Sequence, residues 1–184
     1  MTQAERIPYL SVERYLESEQ HSEVRHEYSS GSVLEVAGAS DAHNRISLNL
    51  AATLLSAARG TACRVYQSDM KVRADLELFY YPDVMVTCDP EDTENYFKQF
   101  PCLLIEVLSP STEHIDKGEK LYNYCRLASL ETYVLVSQER RRLEVYRRLQ
   151  DGGWRYDVLE GQDALELNCP PLRLTLEDAY RDVL

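Results

Sequence analysis

Two carboxylates and one amine, on apolar and helical segments close in sequence, are the side chains whose chemistry stands out. Asp83 follows a proline at the start of an apolar segment, and Glu106 lies inside a second one, residues 103–108. Lys120 follows on a segment with helical spacing. Two carboxylates that hold a divalent cation, with a lysine beside them, can direct water at a phosphodiester. We therefore interpret Asp83, Glu106 and Lys120 as candidate catalytic residues.

Glu106 is the most informative residue of the chain. Its neighbours from 103 to 108 are all apolar, which predicts a central strand covered on both faces. A glutamate in such a strand carries a large desolvation cost unless it is paired or bound to a metal. A buried salt bridge is one explanation. We favour a metal site because Asp83 supplies a second ligand of the same type.

The helix that carries Lys120 presents one mixed face. Asp116, Lys120 and Tyr124 recur at steps of four residues and therefore lie on the same side. One interpretation is an exposed ion pair between Asp116 and Lys120. The other directs Lys120 toward Glu106. Lys117 lies on a different side of the helix and is the weaker candidate.

Two further residues are candidates on the substrate side. Glu27 lies in a predicted hairpin before Gly31, either as a surface residue or as a further acid near the metal. His43 lies near the start of a helix predicted to run to about Arg59, with Asp41 as its N-cap. It is either a packed or capping residue or a contact to phosphate, because helix N-termini favour anions.

The remaining elements predict an α/β protein of one domain, residues 1–184. A helix after Ser11 precedes the hairpin, and several alternating segments follow the long helix. Residues 63–73 alternate throughout and predict one half-buried strand. Thr175 is the expected cap of a C-terminal helix. This order of elements favours a mixed sheet flanked by helices.

The formal net charge of −11 argues against a simple basic nucleic-acid-binding protein. It does not exclude a nuclease, because a metal site gathers carboxylates and a bound cation reverses the local sign. Five arginines lie within residues 140–148. They predict either a solvated hairpin flank or a patch that contacts phosphate, and the sequence leaves both open.

The five cysteines are scattered and include no C-x-x-C pair, so we do not expect a zinc site. Their odd number, and an N-terminus without the plan of a signal peptide, predict free thiols in the cytoplasm. No apolar run approaches the roughly 20 residues of a membrane span, so we expect no membrane association.

Several short motifs resemble a restriction-endonuclease family that is common in cyanobacteria and other bacteria, within the PD-(D/E)XK phosphodiesterase superfamily. The resemblance extends over roughly residues 10–180. The matching positions are Glu27-Tyr28 before Gly31, Gly38 to Ser40 with His43-Asn44, Ser68-Asp69, Tyr81 to Val84, Glu106 to Ser109 with Ser111, and Asp116 with Lys120 and Tyr124.

The resemblance implies a restriction-endonuclease-like core, a mixed central sheet flanked by helices with additional β-hairpins. It further implies a Mg²⁺-dependent endodeoxyribonuclease, with Mn²⁺ as a possible substitute. Asp83 and Glu106 would hold the ion, and the Val107 carbonyl would be a further ligand. Leu108 stands where the superfamily has the lysine of its E-x-K motif, which makes Lys120 the counterpart of that lysine.

The implied partners are DNA, as the substrate, and a second copy of the chain in a homodimer, with no small organic cofactor. Glu27 and His43 would serve the substrate side of the site. An alternative function is a catalytically idle module that binds nucleic acid or a protein partner. In that case the two acids and Lys120 would form a structural charge network.

Overall fold

The protein was analysed as a computed structural model that describes residues 9–184. The helices are α1 (Val12–Glu19), α2 (Asp41–Ala58), α3 (Glu113–Ile115), α4 (Leu121–Tyr124) and α5 (Leu176–Tyr180), and a π-helical turn (Asp116–Lys120) joins α3 to α4. The strands are β1 (His26–Ser29), β2 (Ser32–Glu35), β3 (Arg64–Gln67), β4 (Lys71–Asp75), β5 (Leu78–Tyr80), β6 (Val84–Thr87), β7 (Phe97–Lys98), β8 (Leu103–Leu108), β9 (Thr132–Ser137), β10 (Arg142–Arg148), β11 (Trp154–Glu160), β12 (Ala164–Asn168) and β13 (Pro171–Thr175).

A mixed six-stranded sheet forms the centre of the fold, in the order β11-β10-β9-β8-β6-β3. Only β8 and β9 run parallel within this sheet, and its other neighbours are antiparallel. A second sheet has the order β2-β1-β5-β4-β7, and β12 pairs with β13 in a separate hairpin. The predicted mixed α/β architecture with additional hairpins is confirmed.

Strand β8 is one of the two central strands of the six-stranded sheet, and all six of its residues are buried. Side chains alternate between the two faces of a strand. Ile105 accordingly packs in the same cluster as Leu54 of α2, whereas Leu104 packs in the cluster of Tyr124 from α4. Glu106 shares the face of Leu104. The prediction of a strand covered on both faces is confirmed.

The N-cap of helix α2 lies one residue before the residue that the sequence predicted. Ser40, not Asp41, is the N-cap: its backbone is extended and its Oγ accepts a hydrogen bond from the His43 N–H at 3.1 Å. Gly60, at φ +77°, ends the helix in the left-handed conformation that glycine tolerates. No helix of residues 9–184 combines the length and apolar character that crossing a membrane requires.

The prediction of one strand over residues 63–73 is wrong. Ser68 adopts φ +58°, and the chain turns there from β3 in the central sheet to β4 in the second sheet. The alternation of side chains continues across the turn, which is why the pattern did not reveal it. The Ser68 N–H donates to the carbonyl of Asp83 at 3.1 Å, so this turn supports the backbone of a candidate site residue.

Three of the five arginines within residues 140–148, Arg141, Arg142 and Arg148, have partners within the fold. Arg141 pairs with Glu177 at 3.0 Å, and Arg142 pairs with Glu160 at 2.8 Å. Cations that already have carboxylate partners are less available to phosphate. This arrangement favours the hairpin-flank interpretation over the phosphate-contacting patch.

Candidate active site

Asp83 and Glu106 lie next to each other on neighbouring strands. Strand β6 pairs with β8 so that Val84 is opposite Ile105, which brings the preceding Asp83 beside Glu106. Glu106 Oε2 accepts a hydrogen bond from the Asp83 N–H at 3.3 Å, and Asp83 Oδ2 accepts one from the Val107 N–H at 2.7 Å. Each carboxylate is therefore oriented by the backbone next to the other acid.

Lys120 occupies the middle of a group of carboxylates. Its Nζ lies 3.0 Å from Glu27 Oε1, 3.1 Å from Glu106 Oε1 and 3.4 Å from Asp116 Oδ1. Burial of the side chain disfavours the ammonium. The attraction of the surrounding carboxylates, Glu106 foremost, outweighs that effect and raises the pKa of Lys120 well above its ordinary value. The lysine is therefore a permanent cation at neutral pH.

The π-helical turn determines which lysine enters the site. Such turns are often found at functional sites. This one places Asp116 and Lys120 on its buried side, and Tyr124 follows on the same side in α4. Lys117 turns away and pairs with carboxylates outside this group, Glu113 at 2.9 Å and Glu144 at 3.0 Å.

Glu106 is buried, at 2% exposure, and its charge is only partly compensated. The Tyr124 hydroxyl donates to Glu106 Oε1 at 3.0 Å. Desolvation raises the pKa of Glu106 well above its usual range, and the charges of Asp116 and Asp83 act in the same direction against Lys120. Desolvation likewise raises the pKa of Asp116.

One buried carboxylate oxygen of Asp116 lacks a hydrogen-bond partner. This atom is Oδ1, and the Lys120 ammonium lies 3.4 Å away. We use the name "acid cluster" for Glu27, Asp83, Glu106 and Asp116 around Lys120. Three of these carboxylates share the Lys120 ammonium, and the fourth, Asp83, lies beside Glu106 and contacts His43. An all-oxygen donor set of this kind fits Mg²⁺.

His43 contacts the exposed side of the acid cluster. Its Nε2 lies 3.2 Å from Asp83 Oδ2, and its ring also hydrogen-bonds to the Val107 carbonyl. Burial lowers the pKa of the imidazole, but the bonds to Asp83 and Val107 outweigh it and leave the pKa raised. The side chain thus faces the two groups, the Asp83 carboxylate and the Val107 carbonyl, that the family resemblance implies as metal ligands.

Glu27 lies on β1 and points into the fold. Its Oε1 accepts a hydrogen bond from the Tyr81 N–H at 3.1 Å and contacts Lys120 Nζ at 3.0 Å. The hairpin position does not make it a surface residue. The structure brings Glu27 and Glu106 to Lys120, and Asp83 and His43 follow next to Glu106.

The sequence did not reveal the roles of two residues of the site, Asp116 and Tyr124. Asp116 and Tyr124 were placed on the face of Lys120, yet only the structure brings both of them to Glu106 and its lysine. The four-residue spacing was the available signal. It did not reveal which neighbouring strand that face meets.

Comparisons with known proteins agree with this fold. The family model Uma2, described as "Putative restriction endonuclease", matches residues 12–177. The chain is 36% identical over 177 residues to "Uncharacterized protein slr1290" of Synechocystis sp., covering 95% of this chain and 93% of that protein. It is 33% identical over 159 residues to "Uncharacterized protein sll1609" of the same organism, covering 84% and 90%.

A solved structure shares the fold. It is the crystal structure of "a putative nuclease belonging to DUF820" from Anabaena variabilis, with a TM-score of 0.69 and 16% sequence identity. The match covers 89% of this chain and 93% of that one. At this identity the likeness shows the fold alone. With the family model matching nearly the whole chain, the protein belongs to the Uma2 restriction-endonuclease family.

Proposed function

We propose that this protein is a Mg²⁺-dependent endodeoxyribonuclease whose active site is the acid cluster, with Mn²⁺ as a substitute ion. The observation that carries the proposal is the gathering of four carboxylates in one largely buried place around a single lysine. Glu106 and Asp116 have raised pKa values, and one Asp116 oxygen has no hydrogen-bond partner. A divalent cation is the group that would relieve both conditions.

Asp83 and Glu106 would hold the ion, with the Val107 carbonyl as a further ligand. When bound, Mg²⁺ in such a site polarises a phosphate oxygen and lowers the pKa of a coordinated water. Asp83 is the acid that faces outward, with 19% of its side chain exposed. Its Oδ2 is already oriented by the Val107 N–H, so the chain itself fixes the ligand.

Lys120 serves as a positively charged group in the site and does not accept a proton. Its raised pKa keeps the ammonium protonated, so it can stabilise the negative charge that develops on phosphorus-bound oxygens or orient the attacking water. Glu27 positions this lysine by accepting from its Nζ while a backbone N–H, that of Tyr81, fixes the carboxylate. Glu27 is therefore proposed as a positioning residue of the site.

His43 and the start of α2 would receive a DNA phosphate. The first-turn N–H groups of a helix and its dipole favour an anion. His43 stands in that first turn, 3.2 Å from Asp83, so a phosphate bound there would lie next to the acids. The raised pKa of the imidazole increases its positive charge near neutral pH.

A second function, an idle module that binds a partner, has one observation in its favour. Within residues 9–184, the acids of the site do not form a group of three ligand atoms within 4.8 Å of one another. Lys120 lies between them instead. In this alternative the ammonium is the permanent counter-ion and no metal is required.

A nicking assay on supercoiled plasmid distinguishes the two functions. The purified chain is tested with Mg²⁺, with Mn²⁺ and without a divalent ion, beside Asp83→Asn, Glu106→Gln and Lys120→Met. Glu166→Gln, an exposed acid paired with Arg173 on the β12–β13 hairpin, is the matched control. We expect metal-dependent nicking that falls by at least about 100-fold in the three site variants and persists in the control.

A fully active Glu106→Gln protein would overturn the proposal. Calorimetry with Mg²⁺ gives the second readout. A wild-type chain that neither nicks DNA nor binds Mg²⁺ or Mn²⁺ would overturn the nuclease proposal and favour the idle module.

A further inference from the structure

Four of the five cysteines converge at one end of the central sheet. Cys88 follows β6 and Cys102 precedes β8, while Cys63 precedes β3 and Cys169 precedes β13. We call these four residues the cysteine cluster. The prediction of free thiols does not hold for these four residues, because strand pairing and the β12–β13 hairpin bring together cysteines that are 14, 25 and 67 positions apart.

The sulfur atoms of this cluster contact one another beyond simple pairs. Cys63 is bonded to Cys88, and Cys102 to Cys169. Across the two pairs, Cys88 Sγ lies 3.4 Å from Cys169 Sγ and 3.6 Å from Cys102 Sγ. These contacts place the sulfurs of Cys88, Cys102 and Cys169 around one common point, and Cys63 joins them through its bond to Cys88.

The surroundings of the cluster suit a soft cation. Cys102 and Cys169 are buried in the apolar core, at 8% and 6% exposure, with Cys63 and Cys88 packed against them. The group of close ligand atoms found in residues 9–184 consists of Cys88, Cys102 and Cys169, without a carboxylate or imidazole. Thiolates alone select Zn²⁺ or a similar soft ion, and not Mg²⁺.

The dimensions also agree with a single ion. Tetrahedral zinc with bonds of about 2.3 Å to sulfur holds its sulfur atoms about 3.8 Å apart. The contacts of 3.4 and 3.6 Å across the pairs are close to this value. An iron–sulfur cubane would hold the cysteines much further apart.

We propose that the reduced cysteine cluster binds one tetrahedral Zn²⁺ through Cys63, Cys88, Cys102 and Cys169. The two disulfide pairs are then the oxidised, metal-free arrangement of the same side chains. Four protein ligands leave no open position, so the ion is structural. It ties the ends of β3, β6 and β8 to the hairpin of β12 and β13. The site is separate from the acid cluster and does not depend on the proposed nuclease function.

Metal analysis of the full chain tests this site. The protein is purified under reducing conditions and its zinc is measured by mass spectrometry, then exchanged for Co²⁺. We expect about one zinc per chain and the absorption of tetrahedral cobalt with four thiolates. Cys169→Ser should lower the zinc content at least tenfold. Cys125→Ser, which removes the cysteine outside the cluster, should keep the full content.

Three results would overturn the site. The first is a reduced wild-type chain that binds neither zinc nor cobalt. The second is zinc retained in Cys169→Ser or lost in Cys125→Ser. The third is a single reactive thiol in chain that has been unfolded without any reductant, because two disulfides would then exist in the native protein. If Cys169→Ser does not fold, the charge-transfer intensity of the wild-type cobalt protein decides between four thiolates and fewer.

Discussion

The two ends of strand β8 gather opposite kinds of ligand from the same pair of strands. At one end, Asp83 before β6 meets Glu106 in a cluster of oxygen donors around an ammonium. At the other end, Cys88 after β6 meets Cys102 in a cluster of sulfur donors within apolar surroundings. An antiparallel pair delivers residues from both strands to each of its ends, so one scaffold supports two separate sites.

The acid cluster and the cysteine cluster differ in exposure and in charge, and this difference indicates a reactive site at one end of β8 and a structural site at the other. The acid cluster has an outward-facing carboxylate, Asp83, and three further carboxylates that share one ammonium. The cysteine cluster is buried, with Cys102 and Cys169 in the core. A reactive metal site needs access for substrate and an open coordination position, whereas a structural site is closed. The predictions below test this contrast, beginning with the largest effect.

Omission of the divalent ion should separate activity from stability at the acid cluster. We expect DNA cleavage to fall by about a thousandfold or more without Mg²⁺ or Mn²⁺, because the chain offers ligands and an ammonium but no alternative Lewis acid. The chain should stay folded, with its thermal midpoint lowered only by the modest stabilisation that a weakly bound ion adds to the folded state. Cleavage rates and thermal unfolding with and without Mg²⁺ measure both effects. Undiminished cleavage without added metal would show that the acid cluster is not a metal-dependent active site.

Replacement of Lys120 by methionine should be the most destabilising change at the acid cluster. It leaves Glu27, Glu106 and Asp116 without their common cation. Removal of one partner of a buried ion pair typically costs about 3–5 kcal/mol. Urea unfolding of the metal-free protein measures the change in the free energy of unfolding.

Lys117→Met is the matched control for that measurement. Lys117 also pairs with two carboxylates but is partly exposed, so its loss should cost less than about 1 kcal/mol. Equal losses in the two variants would show that the buried ammonium has no special part in the site.

Zinc should stabilise the reduced, metal-free chain through the cysteine cluster alone. At about 100 times the dissociation constant, a ligand that binds only the folded state adds about 2.7 kcal/mol to the free energy of unfolding. This gain should vanish in Cys102→Ser and persist in Glu106→Gln. Denaturant titrations with and without Zn²⁺ provide the comparison. If the gain in stability depended on Glu106, zinc would bind at the acid cluster and not at the cysteine cluster.

Cys125 should react slowly with alkylating agents at neutral pH. Burial raises its pKa to about 11, and the nearby Arg148 only partly opposes this. Because the thiolate is the nucleophile, about a thousandth of this side chain is reactive at pH 8. Alkylation by iodoacetamide, followed by mass spectrometry, should accelerate as the pH rises toward 11. A midpoint near 8.5 would contradict the burial of this thiol.

The acid cluster was largely predictable from sequence because Glu106 conflicts with its apolar neighbours. Such a conflict has few physical solutions, and it led to Asp83 and Lys120 as the partners. The cysteine cluster was not predictable in this way, because a cysteine in an apolar core is ordinary. Its residues also lack the short spacings of common zinc sites.

In the fold as well, features set by local sequence patterns were predictable, whereas features set by tertiary packing were not. The buried strand β8 and the capped helix of Thr175 were predicted correctly from local patterns. The turn at Ser68 was missed because alternation of side chains continues through it while the backbone changes sheet. The role of Asp116 was missed because the strand that its helix face meets is decided by tertiary packing.

The central claim is that the buried acids at the carboxyl end of β8 exist to hold a working cation. Anomalous diffraction from crystals soaked in Mn²⁺, at a concentration that supports cleavage, tests it most directly. We predict a manganese peak within bonding distance of Asp83 and Glu106. Crystals without such a peak, in which Lys120 still contacts Glu106 as it does here at 3.1 Å, would contradict the account.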